Sequence, residues 1–242
     1  PSYPLIDLLL DLNDIRQHRY PLTYVGTAPS APGARPAAIP RSSPWFFDAA
    51  NARQARQIQT RALIAIHPNN PTGHVFSQLE RDAVVEFTLA EDMALVVDEV
   101  FLDYDANPKA TFAGENRVLT FTLSGVSKIL GLPQMKLSWI VVSGPEDERR
   151  EALRRLEIIA DTFLSVGTPA QNALAGWIGA APEVQAEIRA RVDQNRLALL
   201  QTIGGTKPGS VELLEGSGAS WCAILRLPDD TVLIYYGGSD TR

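Results

Sequence analysis

One cysteine, Cys222, in 242 residues excludes an internal disulfide framework and fits a reducing cytoplasm. Three scattered histidines, His18, His67 and His74, add too few ligands to that single thiol for a structural zinc site. No run of 18 apolar residues and no basic-then-apolar leader occurs, so neither a membrane span nor a signal peptide is expected. Positive charge is not in excess either. The net charge of −6 and pI of about 5.1 exclude a broad nucleic-acid footprint. No internal repeat is found. What remains is 45% hydrophobic and 21% charged, the composition of a globular protein with ample material for a core.

The chain opens on "PSYPLIDLLLDL", a turn running into an apolar helix. Residues 26–44 are rich in Pro, Gly, Ala and Ser and read as an exposed loop. "RALIAI" (61–66) and "ALVVDEV" (94–100) suit buried strands. Between them Ser77 and Glu80 form a capping box ahead of helical spacing. A strand–helix–strand unit implies a parallel pair with a right-handed crossover. "RVLTFTLS" (117–124) and "LSWIVVSG" (137–144) supply two further strands. The expected fold class is therefore α/β, a mostly parallel sheet covered by helices and buried on both faces. After Pro145 two long helical patterns follow, the second starting at Pro182 and closed by Gly204–Gly205. "VELLEGSGASWCAILRLP" then returns to strand-like alternation, the start of a small α+β domain. The expected domains are residues 1–175, carrying the sheet, and 176–242, linking helices with the start of a small domain. The tryptophans, Trp45, Trp139, Trp177 and Trp221, are expected in the core or at an interface.

Polar residues at the C-terminal ends of parallel strands are where such sheets place ligands. Here the first strand runs into "HPNNPTG" (67–73), the second ends in "DEVF" (98–101) and the third runs into "SGVSK" (124–128). Taken singly, the first is also a plain turn, Asp98 also a helix cap, and Lys128 also a solvated side chain. Together they bring an asparagine turn, an acid and an amine to one edge.

"HPNNPTG", "VVDEVF" and "SGVSK…GLPQMKLSW" resemble the three signature segments of class I/II aminotransferases, the fold-type I enzymes that use pyridoxal 5'-phosphate. The resemblance covers nearly the whole chain and implies the large domain of that fold. It places Lys128 at the Schiff-base position, where an amine holds the cofactor aldehyde and later moves a proton. Asp98 matches the carboxylate that keeps the pyridine nitrogen protonated. Asn70 matches the residue bonded to the ring's phenolic oxygen and also faces substrate. Lys136, with Ser127 and Ser124, falls among the phosphate ligands. Tyr3 lines the expected substrate pocket. The implied activity moves an amino group from an L-amino acid to a 2-oxo acid, in a cytoplasmic homodimer with no nucleic-acid or membrane partner. A C–S lyase or decarboxylase would keep the same lysine and aspartate, and a silent or effector-sensing domain would keep the turns.

Several residues depart from the family pattern. Phe101 stands where a tyrosine is usual, and Gly125 where a phosphate-binding serine is common. Lys136 replaces an arginine and loses its bidentate geometry. Gln134 and Ser138 replace frequent glycines. An upstream phosphate cup, a ring-stacking aromatic and a carboxylate-binding arginine have no recognisable counterpart, so the 242-residue chain is expected to be a piece of a longer product and, alone, a poor catalyst.

Overall fold

A computed structural model describes residues 4–24, 45–105, 111–163, 165–204, 211–214, 221–226 and 232–237. Helix α1 (Pro4–Leu12) opens the described chain. Strands β1 (Thr23–Tyr24) and β2 (Trp45–Phe46) pair antiparallel, and α2 (Ala49–Ala55) is capped by Asp48, whose carboxylate accepts from Ala50 N. The α/β unit comes next: β3 (Ala62–Ile66), α3 (Gln78–Ala90) and β4 (Ala94–Asp98). The expected capping box forms. Ser77 Oγ accepts from Glu80 N, and Glu80 Oε2 accepts from Ser77 N at 2.9 Å.

Strand β5 (Thr120–Gly125) leads directly into the short helix α4 (Val126–Ile129), and β6 (Ser138–Ser143) returns. The sheet order is β3-β4-β5-β6. The first three strands are parallel and β6 is antiparallel, so the sheet is mixed. Alternation sends Leu63, Ala65, Leu95, Val97, Thr120 and Thr122 to one face, where α3 contributes Val84, Val85 and Phe87. That face is buried, with Val84, Leu95 and Val97 fully enclosed. On the other face Ile66 is buried, Ile64, Val96, Asp98, Phe121 and Leu123 are half-buried, and Ile140 on β6 is 46% exposed. Among the described residues burial over the parallel strands is thus nearly complete on the first face and partial on the second. Both α3 and the aromatic cluster of Phe47, Phe76 and Phe112 gather against the first face.

Helix α5 (Glu146–Thr162) carries three acidic residues in its first turn, which suits the helix dipole. Helix α6 (Thr168–Gly204) is longer than the sequence pattern implied: Pro182, read as its start, lies inside it. Proline costs an internal hydrogen bond, and tertiary packing offsets this. Ala181, Leu174, Trp177 and Val184 join Val126, Ile129, Leu130 and Leu137 in a second apolar cluster that seats α6 on α4. Trp139 and Trp177 are thus packing residues, as expected. The helix passes unbroken through residues 175–176. Strands β7 (Val211–Leu214), β8 (Trp221–Arg226) and β9 (Val232–Gly237) form an antiparallel sheet, the last strand having gone unread in the sequence. No described helix is long and apolar enough to cross a membrane.

Candidate active site

The C-terminal edge of the parallel strands is built from three successive turns. The first follows β3. His67 N donates to the Asp98 carbonyl at 2.8 Å, tying the start of the turn to the end of β4. Inside the turn Gly73 N bonds Asn69 O at 2.7 Å and Asn69 N bonds His74 O at 2.8 Å. Thr72 Oγ1 donates to Asn69 Oδ1 at 2.8 Å. Gly73 has φ +66°, a left-handed position suited to glycine. The His67–Pro68 and Asn70–Pro71 peptides are cis. A buried buttress stands behind it: His74 Nε2 lies 2.9 Å from Glu80 Oε1, and Phe76 N donates to His67 Nδ1. With Asn69, Pro71, Thr72 and His74 all buried, Asn70 is left half-exposed at the edge.

The second turn follows β4. Val100 N donates to Asp98 Oδ1 at 3.1 Å. Burial pushes the Asp98 carboxyl above the ordinary range, opposed by that N–H and by the positive charge of Lys128. Next to Asp98, Glu99 points the other way and is buried, accepting from Phe112 N and Thr111 Oγ1, both at 2.6 Å.

The third turn follows β5. Helix α4 presents Lys128 on its exposed side, and Lys128 Nζ sits 5.3 Å from the centroid of the Phe101 ring. An ammonium over an aromatic face is attracted by the ring quadrupole. Ser127 is half-exposed beside it. Lys136 closes the turn before β6 in a left-handed conformation, φ 49° and ψ 41°, fully on the surface. Since Ser138 pairs with Gly125, the approach to β6 returns Lys136 to the same edge as α4.

The structure therefore brings Asp98, Phe101 and Lys128 together, with Asn70, Ser127 and Lys136 on neighbouring turns. Ser124 is set apart. Asp98 pairs with Leu123, so Ser124 projects to the opposite face, where it lines a small cavity of about 240 Å³ with Glu99, Asp103, Thr122 and Trp139. Tyr3 lies outside the described residues. A larger cavity, about 1220 Å³, lies away from the lysine, between α1, α2 and the β3 side, and includes Tyr20, Ile64 and Val96. Tyr104 was not singled out in the sequence, yet its Oη donates to the Lys128 carbonyl at 2.8 Å. No spacing rule exposes such a bond, because it joins residues 24 positions apart. Among the described residues no His, Cys, Asp and Glu cluster could hold a metal.

Comparison with known proteins identifies the family. The profile of the family "Aminotransferase class I and II" matches residues 45–204. Glutamate-pyruvate aminotransferase AlaA of Escherichia coli K12 is 29% identical over 163 residues, covering 66% of this chain and 40% of the relative. A probable N-succinyldiaminopimelate aminotransferase DapC of Mycobacterium tuberculosis is 30% identical over 170 residues, covering 64% and 40%. Among solved structures, N-succinyldiaminopimelate aminotransferase from Mycobacterium tuberculosis superposes with a TM-score of 0.65 at 25% identity, over 93% of this chain and 53% of that one. Alanine aminotransferase from Pyrococcus furiosus gives 0.71 at 20% identity, over 94% and 54%, a likeness of fold. The chain spans about 40% of the length of these curated relatives. The fold is that of fold-type I aminotransferases, and the chain belongs to the aminotransferase class I and II family.

Proposed function

We propose that this chain carries the lysine-bearing part of a pyridoxal 5'-phosphate-dependent aminotransferase, which moves an amino group from an L-amino acid to a 2-oxo acid. The observation that carries the reading is the convergence of Asp98 and Lys128 at one sheet edge, with Lys128 Nζ held 5.3 Å over Phe101. When bound, the cofactor supplies an aldehyde for an amine and a pyridine ring that withdraws electrons from the substrate Cα.

The donor set fits such a group. Lys128 offers an accessible amine for covalent attachment and, once displaced by a substrate amine, can take and return a proton. Asp98 provides a partly buried carboxylate for a protonated ring nitrogen, which would supply the positive partner that burial at this site demands. Asn70 stands half-exposed on a turn where Thr72 and Asn69 bond each other, and its amide is offered to a phenolic oxygen. Ser127 and Lys136 give a hydroxyl and a cation for a phosphate dianion. Ser124 is left out of this set because the register turns it to the other face. A homodimer, a cytoplasmic location and a cofactor-binding domain over residues 1–175 belong to the same proposal. They are supported by the family and by a single cysteine.

Borohydride reduction in the presence of pyridoxal 5'-phosphate, followed by peptide mapping, tests it. The label is expected on Lys128; a label confined to another lysine would reject the assignment.

A further inference from the structure

Helix α4 has only four residues. A helix that short cannot hold its own geometry, since nucleation costs more than its few bonds return. Where Lys128 points is therefore decided by what packs around α4. On one side the apolar cluster with α6 holds Val126 and Ile129. On the other stands the turn that follows Asp98. Phe101 from that turn lies under the Lys128 ammonium, and Tyr104, three residues on and 5% exposed, donates its hydroxyl to the Lys128 carbonyl at 2.8 Å. The Ile129 carbonyl is 3.5 Å from the same hydroxyl, too long to compete. One turn thus grips Lys128 at both ends, backbone and amine.

The turn is itself gripped from α6. Arg189 donates to the Asp103 carbonyl, and its guanidinium lies 5.9 Å from the Tyr104 ring centroid. The Asp103 carboxyl faces Gln185 and Arg189, both on α6. A methyl on Gly131, just past α4, would sit 3.8 Å from Ile188 Cδ1 of the same helix. We infer that Tyr104 is a positioning residue for Lys128, and that Arg189 ties Tyr104 to α6. The aim of the reactive amine then depends on the seating of the long helix. This rests on the proposed role of Lys128 as the reactive amine, but its test does not need the cofactor.

A buried tyrosine hydroxyl needs a partner in any case, so a plain packing role must be told apart. Tyr20 is the control. It is half-buried, donates to the Ile64 carbonyl at 3.0 Å and packs edge-on to Phe47, away from Lys128. The measurement is competitive acetylation of the intact, cofactor-free chain, read by mass spectrometry as the ratio of Lys128 to Lys136 labelling. Tyr104→Phe is expected to raise that ratio about threefold, as an amine freed from the Phe101 ring meets reagent more often. Arg189→Ala should move it the same way and Arg189→Lys should restore it. Tyr20→Phe should lower the melting temperature and leave the ratio unchanged. An unchanged ratio in Tyr104→Phe, or an equal change in Tyr20→Phe, overturns the role of Tyr104; an unchanged ratio in Arg189→Ala overturns the tie to α6. If the ratio shifts while borohydride labels no Lys128, the positioning stands and the cofactor reading falls.

Discussion

A Cβ built on Gly125 would lie 2.8 Å from the Leu137 carbonyl oxygen and 2.9 Å from Ser138 Cα. Both are backbone, so nothing can swing aside. Gly125→Ala should therefore cost about 1–3 kcal/mol, the range for overpacking a tight site, read as a lower urea midpoint. Because Gly125 caps α4, Lys128 should also lose its place over Phe101. This explains one departure from the family pattern: a serine cannot stand at residue 125 while residues 137–138 approach so closely. The sequence showed the departure but not its cause, since the approach joins segments twelve residues apart that only the β5–β6 pairing brings together. Phe101 is a similar case. Its missing hydroxyl was legible, whereas the ammonium above its ring was not.

Elements were legible where the signal was local. The capping box, the apolar period of α3 and the two flanking runs specified a parallel unit, and the asparagine, acid and lysine turns followed from it. The cap has a measurable weight. Ser77→Ala removes the side-chain acceptor for Glu80 N and should cost about 1 kcal/mol in urea denaturation. It should not change labelling of Lys128, which lies on another turn. Elements were misread where packing overrides local preference. Pro182 is a good first residue of a helix, but α6 continues upstream because Ala181 and Trp177 have α4 to rest on. The face to which Ser124 points could not be read either, because a strand pattern fixes alternation and only the register with β4 fixes which residue stands beside Asp98.

Across the whole molecule two glutamates, Glu80 half-buried and Glu99 buried, tie stability to pH with opposite signs. Burial alone would raise the Glu80 carboxyl, but bonding to His74, that residue's charge and two bonds from Ser77 outweigh it and hold the pKa near about 2. A lowered group adds stability above its ordinary value near 4.5, and that stability is lost as pH falls toward 2. Glu99 is the reverse. Burial pushes it up to about 7 despite its bonds from Phe112 N and Thr111 and the charge of Arg81, with Asp103 raising it further. A raised group gives its full contribution below 4.5, and that contribution is lost as pH rises through 7. Asp98 and Asp103, also raised by burial, add to the second limb, and Glu115, lowered by its bond from Arg117, adds to the first. The urea midpoint should therefore peak in mildly acid solution and decline on both sides. Glu99→Gln keeps an acceptor for Phe112 N and should flatten the decline between about pH 5 and 7 while leaving the acid limb. Glu80→Gln should flatten the acid limb and leave the other. A midpoint in Glu99→Gln that still falls as steeply as wild type across that window would mean Glu99 enters the fold ionised. The Thr111 and Phe112 bonds would then outweigh its burial.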